Sequence, residues 1–195
     1  VGDHKPELID AVESALSNAL ELMKPGNEVK DISKVIGQTI KDKGFNPVRN
    51  LTGHGLDQYN LHAKLSFPNV ETGLDYTLKE GDVFAIEPFA TDGSGKVSET
   101  DSVLIYAWNE DKPIRSRAGR KILKLAKNKY NKLPFAKRWL SGQVSPLSLN
   151  LALKKLSKRG ALYKYPVLRE VAKGDIAQAE HTVIVREEPK IITKV

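Results

Sequence analysis

Glu80-Gly81-Asp82-Val83-Phe84-Ala85-Ile86-Glu87-Pro88-Phe89 is the stretch whose reading decides the fold. Its first three residues have the composition of a turn, and Val83 to Phe89 that of the strand it launches. Alternation puts Val83, Ala85 and Glu87 on one face, with Phe84 and Ile86 on the other. A carboxylate therefore points where two apolar side chains point. Two more segments have the same character. Leu51-Thr52-Gly53-His54-Gly55-Leu56 delivers an imidazole, and Ala177-Gln178-Ala179-Glu180-His181-Thr182 delivers a second carboxylate. The latter leads a last apolar strand, Ala179 to Arg186, in which Gln178, Glu180, Thr182 and Ile184 share a face. Burying a lone carboxylate is costly. Each Glu is therefore expected to be paired with Lys or Arg, set at an exposed edge, protonated, or bound to a metal. Oxygen and imidazole ligands without thiolates suit manganese, iron, cobalt or zinc. Two carboxylates that bridge or chelate suit two ions about 3.5–4 Å apart.

Composition limits the alternatives. The chain has 195 residues, 40% hydrophobic and 28% charged, enough for one good core and a smaller appended lobe. No run approaches the roughly 18 apolar residues of a membrane span, and the start has no signal-peptide pattern. No membrane is expected, and the cytoplasm is the default compartment. Cysteine is absent, which excludes disulfides, thiolate sites and a cysteine nucleophile. The net charge of +7 hides a division. From Lys112 to Arg169 there are 17 Lys and Arg and no Asp or Glu, whereas the rest holds 14 basic and 24 acidic residues. Segregation this sharp implies two structural units.

Leu8, Val12, Ala15, Leu16, Ala19 and Met23 recur at helical spacing, which predicts a helix over 4–23 with Asp3 as N-cap. A second helix follows, with Val29, Ile32, Val35, Ile36 and Ile40 on one face and Gly44 at its end. The run from Asp57 to Lys79 reads as loop. In the basic stretch, Ala118 to Tyr130 and the segment around Leu149, Ala152, Leu153 and Leu156 read as helices, the latter ended by Gly160. Ile191 to Val195 reads as a strand pairing with a neighbour. His54 and His62, eight residues apart, can face one cavity if that run is extended. His4 has no assigned role, and His181 reads as a packing or hydrogen-bonding residue.

The order and spacing of these motifs resemble the type 2 methionine aminopeptidases of archaeal kind, over their carboxy-terminal two thirds. The matching residues are Gly53-His54-Gly55, Leu61-His62-Ala63, Phe84 to Phe89, Leu133-Pro134-Phe135-Ala136, Arg138-Trp139-Leu140, Tyr165-Pro166-Val167-Leu168, Ala177-Gln178 and Glu180-His181-Thr182. Ala179 departs from the family's usual Phe. The resemblance implies an α+β pita-bread fold, a curved antiparallel sheet backed by helices. It is incomplete in this chain and interrupted by a helical insertion, with catalytic parts over 1–106 and 164–195 and a basic insertion over 107–163. It implies removal of the N-terminal methionine from nascent polypeptides with a small second residue, using two divalent ions (cobalt, manganese, iron or zinc). His54, Glu87 and Glu180 are implied as metal ligands, with Glu87 also the general base and His62 contacting the substrate. Leu61, Phe89, Tyr165 and Leu168 are implied as walls of the methionine pocket. Two aspartate ligands and a further histidine of the family are expected before Val1, on a missing amino-terminal fragment that completes the site, so the isolated fragment is expected to be inactive. Asp82, Asp92 and Asp101 do not stand in the matching context.

Two other readings stay open: a catalytically silent relative that binds ribosomes or nucleic acid, and an X-Pro peptidase of the same fold. The basic stretch adds the ribosome as an expected partner. Lys121, Lys124, Lys127, Lys129, Lys154, Lys155, Lys158 and Arg159 are its candidate contacts, against the alternative of a merely solvated surface.

Overall fold

A computed structural model describes residues 5–194. The N-cap reading of Asp3 and the readings of His4 and Val195 lie outside them. Helix α1 (Pro6–Glu21) begins with Pro at a position where no N–H is needed, and buries Leu8, Val12, Ala15, Leu16 and Ala19. Helix α2 (Val29–Asp42) lays Ile32, Ile36 and Ile40 against them, and Gly44 follows at φ 84°. Each such aliphatic side chain contributes about 1.5–3 kcal/mol by leaving water.

The strands follow as β1 (Asn46–Pro47), β2 (Thr52–Asp57), β3 (Asn60–Pro68), β4 (Val83–Ile86), β5 (Phe89–Thr91) and β6 (Val97–Trp108). Then come α3 (Arg117–Leu125), which runs on into a π-helical turn to Tyr130, β7 (Phe135–Ala136), α4 (Pro146–Lys158) and β8 (Leu162–Glu170). Strands β9 (Ile176–Gln178), β10 (His181–Ile184) and β11 (Lys190–Ile191) finish the described chain. Three sheets form, in the orders β11-β10-β4-β2-β3, β1-β5-β9 and β7-β6-β8, and the recorded strand pairs are antiparallel. This is an α+β architecture.

The chain divides into two compact units: residues 1–57, 62–98 and 169–195, and residues 58–61 with 99–168. In the first, Phe67, Phe84, Ile86, Val183 and Val185 meet the apolar faces of α1 and α2. The second has its own core of Ile122, Phe135, Leu140, Leu153, Leu156 and Leu162, with the Tyr130 ring stacked on Phe135 and tilted against Trp139. The insertion limits implied by the resemblance, 107 and 163, fall inside β6 and β8.

Two sequence readings need correction. Residues 57–79 are not loop throughout, because β3 occupies 60–68 and closes a hairpin with β2, Tyr59 taking φ 55° at the turn. The single strand read over 83–89 is two, β4 and β5, for a reason that belongs to the site.

Glu170 fixes the turns that precede β6 and β9. It is 3% exposed and accepts hydrogen bonds from the Ser94 hydroxyl (2.6 Å), the Ser94 N–H (2.7 Å) and the Gly174 N–H (3.1 Å). A Cβ on Gly93 would sit 2.4 Å from its carboxyl carbon, so only glycine admits the acid there. The Ser94 hydroxyl, against the opposing effect of burial and with added backbone N–H donors, pulls Glu170 down to about 2. A carboxyl held lower in the folded than in the unfolded chain stabilises above its unfolded pKa, and that contribution disappears as pH falls towards 2. Glu170→Gln should therefore lower the urea midpoint at pH 7, and its deficit relative to wild type should shrink steadily between pH 5 and pH 2.

Candidate active site

Glu87 and Glu180 come from matching breaks in two neighbouring strands. Chain segment 83–91 leaves one sheet at Ile86 and joins the other at Phe89. Segment 176–184 does the reverse, leaving at Gln178 and joining at His181. The pairs His181 with Ile86 and Phe89 with Gln178 keep one register across the gap, which sets Glu180 opposite Glu87. The Ala179 N–H still reaches the Pro88 carbonyl, at 3.3 Å. Pro88 has no N–H to give a ladder, which helps to end β4 there.

His54 arrives from β2, where it pairs with Ala85 of β4. Its Nε2 lies 3.1 Å from Glu87 Oε1, with both side chains 12% exposed, and its Nδ1 faces the Gly55 carbonyl at 3.2 Å. Burial pulls the imidazole down, but the Glu87 and Gly55 hydrogen bonds and the charges of Glu87 and Glu180 outweigh it, and its pKa is raised. Partial shielding of its carboxyl from water raises Glu180, although the residue as a whole is exposed; the facing Glu87 adds to this, and His54 only partly offsets it. The hairpin brings the His62 ring within 4.4 Å of the His54 ring, edge to face. The two histidines thus meet on adjacent strands rather than along one. Burial lowers His62, and His54 lowers it further, against the pull of Glu87.

The structure brings His54, His62, Glu87 and Glu180 together in the first unit. Glu180, expected to be buried, is exposed, because the strand opens at Ala179 instead of running on. Phe89 is half-buried in the same unit, whereas Leu61, Tyr165 and the exposed Leu168 belong to the second. Sequence reasoning assigned no role to Gln178. Its Nε2 donates to Glu87 Oε2 at 2.9 Å and to Glu180 Oε2 at 3.3 Å, spanning the two acids. The signal available was its position two residues before Glu180, on the same strand face. His181 bonds Thr193 through Nδ1 at 3.0 Å, in keeping with its structural reading. Asp82 takes the Tyr76 hydroxyl and Asp92 the Lys5 ammonium, so neither turns to this site. Among the described residues, no three His, Asp or Glu side chains stand in ligating geometry around one point. The imidazole and the acids are turned onto one another and onto Gln178. Their atoms are nonetheless the oxygen and imidazole donors that divalent ions of the manganese-to-zinc series take.

A model of metallopeptidase family M24 matches residues 1–187. The chain belongs to metallopeptidase family M24. A methionine aminopeptidase from Thermococcus kodakarensis is 48% identical over 194 residues, which are 99% of this chain and 66% of that protein. The chain thus spans just under two thirds of that M24 relative. Among solved structures, a thermophilic Arx1 superposes with a TM-score of 0.78 at 18% identity, over 92% of this chain and 54% of that one. A methionine aminopeptidase from Thermotoga maritima gives 0.61 at 21% identity, over 100% and 54%. At these identities the likeness shows the fold, the pita-bread arrangement of M24 proteins.

The approach of β2 to β4 that brings His54 to Glu87 depends on Gly53. A Cβ there would lie 2.3 Å from the Ala85 carbonyl oxygen and 3.1 Å from the Glu87 nitrogen. Gly53→Ala should cost about 1–3 kcal/mol through forced backbone displacement. Gly73→Ala, which meets nothing within 4 Å, is the control. Thermal melts of the two variants should separate them by several degrees.

Proposed function

We propose that this chain carries part of the catalytic centre of a methionine aminopeptidase, one that removes N-terminal methionine from nascent proteins with a small second residue. What supports this reading most is the facing pair Glu87 and Glu180, with His54 against Glu87, in an M24 chain 48% identical to a methionine aminopeptidase. His54, Glu87 and Glu180 would hold the metal, and the uncovered third of the relative's length would supply further acidic ligands. When bound, two divalent ions (cobalt, manganese, iron or zinc) would polarise the scissile carbonyl and acidify water.

The chain's own groups then have distinct tasks. Glu87 would accept the proton of the attacking water on its carboxylate, as general base. His62, kept neutral by its lowered pKa, would donate an N–H to the substrate oxygen on which negative charge develops. Gln178 would keep the two acids aimed by holding one oxygen of each. Phe89, two residues beyond Glu87, would offer aromatic surface to the methionine thioether, which is recognised mainly by dispersion and area. The raised pKa values of His54 and Glu180 imply that protons compete with metal at higher pH than for ordinary groups, so metal would be lost early on acidification.

The test uses this chain joined to the uncovered third of the Thermococcus kodakarensis relative, with the chain alone expected to be inactive. Met-Ala-Ser should be cleaved and X-Pro dipeptides should not. Preference for X-Pro would make it a different peptidase of the same fold. Glu87→Gln should abolish methionine release, by about a thousandfold or more, without loss of fold. His62→Ala should cut turnover far more than metal content measured by atomic absorption. Methionine release by Glu87→Gln at the unchanged rate would remove Glu87 from the chemistry.

The basic unit supports a cytoplasmic partner as well, the ribosome at which nascent chains emerge. Surface lysines and arginines bind phosphate by releasing counterions. The full chain should pellet with ribosomes at low salt and come off as salt is raised. Salt-insensitive pelleting would argue against docking on phosphate.

A further inference from the structure

The structure sorts the basic residues of the second unit into those already engaged and those that are not. Lys127 is paired with Asp111 and lies over the Trp108 ring. Lys121 donates to the Gln143 carbonyl at 2.8 Å, and Arg159 to the Pro113 carbonyl at 2.7 Å. Four other lysines converge. Lys154 and Lys158 stand one turn apart on α4, Lys137 begins the 3-10 turn after β7, and Lys164 lies on β8. They line one groove of about 660 Å³ against residues 101–104 of β6. Among the described residues none of the four forms an ion pair. Lys137 and Lys164 were outside the candidate set drawn from sequence, because only the fold brings them beside α4.

The lining of this groove is not purely cationic. The exposed Leu104 gives it apolar surface, above the buried Tyr106. Asn150, Ser102 and Asp101 add hydrogen-bonding groups, and the Ser157 hydroxyl is buried there without a partner among the described residues. We propose that this groove binds a segment of single-stranded RNA, with Lys137, Lys154, Lys158 and Lys164 on successive phosphates. Unpaired like charges around one concavity repel each other and focus a positive potential, which a polyanion relieves. A recessed groove takes a narrow strand, whereas an anionic membrane would present a flat plane. Exposed apolar surface at Leu104 suits contact with a base. A carboxylate in the lining would repel bare phosphate or an acidic peptide, but it accepts a hydrogen bond from a ribose 2′-hydroxyl. The inference rests on the reading of the basic unit as ribosome-facing, and it names the chemistry and residues of that contact.

The test is fluorescence anisotropy of the full chain with a short fluorescein-labelled single-stranded RNA. Binding should weaken with salt on a log–log slope of roughly −2 to −3, the value for three or four phosphates on a single strand. Lys154→Ala with Lys158→Ala should weaken binding about tenfold and flatten the slope by about 1.4. Lys124→Ala with Lys129→Ala removes the same charge outside the groove and should leave affinity within about twofold. Circular dichroism melts confirm that both double variants fold. The proposal is overturned by equal losses in the two double variants, by equal binding of a DNA strand of the same sequence, or by competition from polyglutamate as effective as that from RNA. A chain that pellets with ribosomes yet binds no oligonucleotide would also overturn it, while leaving ribosome contact standing.

Discussion

Like charges directly opposite one another on neighbouring strands repel, and the first unit holds Glu87 and Glu180 in that relation. Nothing about either strand alone requires it. The register of β4 with β10, and of β5 with β9, leaves the two acids no other place. The unit relieves the repulsion with three devices: an imidazole against one acid, an amide shared by both, and a raised pKa on the more exposed one. Each is a poor substitute for a cation. A cation placed between two such facing carboxylates would relieve the repulsion more fully.

The register has its own support. Glu170 ties the turn at Gly93-Ser94 to the turn at Gly174, and Lys5 bridges Asp92 and Asp175 beside it. Thr91 donates to the Asp175 carbonyl at 2.6 Å. These bonds lock β5 and β9 side by side, immediately after Glu87 and immediately before Glu180 in the chain. A buried acid with three donors therefore helps to set the geometry of the facing pair Glu87 and Glu180.

The helices were legible because their apolar residues repeat with one period and end at Gly or Pro. The hairpin of β2 and β3 was not. Its turn, Gln58-Tyr59, lacks the glycine or asparagine that usually marks a left-handed position, and Ser66 and Pro68 gave its second strand the look of a loop. Strand β6 was missed because it is exposed along most of both faces, so no alternation betrays it. For the site, local pattern marked His54, Glu87 and Glu180 as polar groups in apolar company. It could not show that Gln178 spans two of them, since that depends on a register joining residues 91 positions apart. Charge counting found the basic unit but not its groove, which needs Lys137 and Lys164 carried beside α4 by folding.

The strands that leave and re-enter the first unit are neighbours: the Val171 N–H donates to the Lys96 carbonyl at 2.9 Å. Two antiparallel strands in that relation can be joined by a tight two-residue hairpin. The intervening seventy or so residues are thus dispensable to the covalent path of the first unit, a topology that marks them as graftable cargo. Exchanging that cargo between relatives would leave the sheet that carries Glu87 and Glu180 threaded as it is.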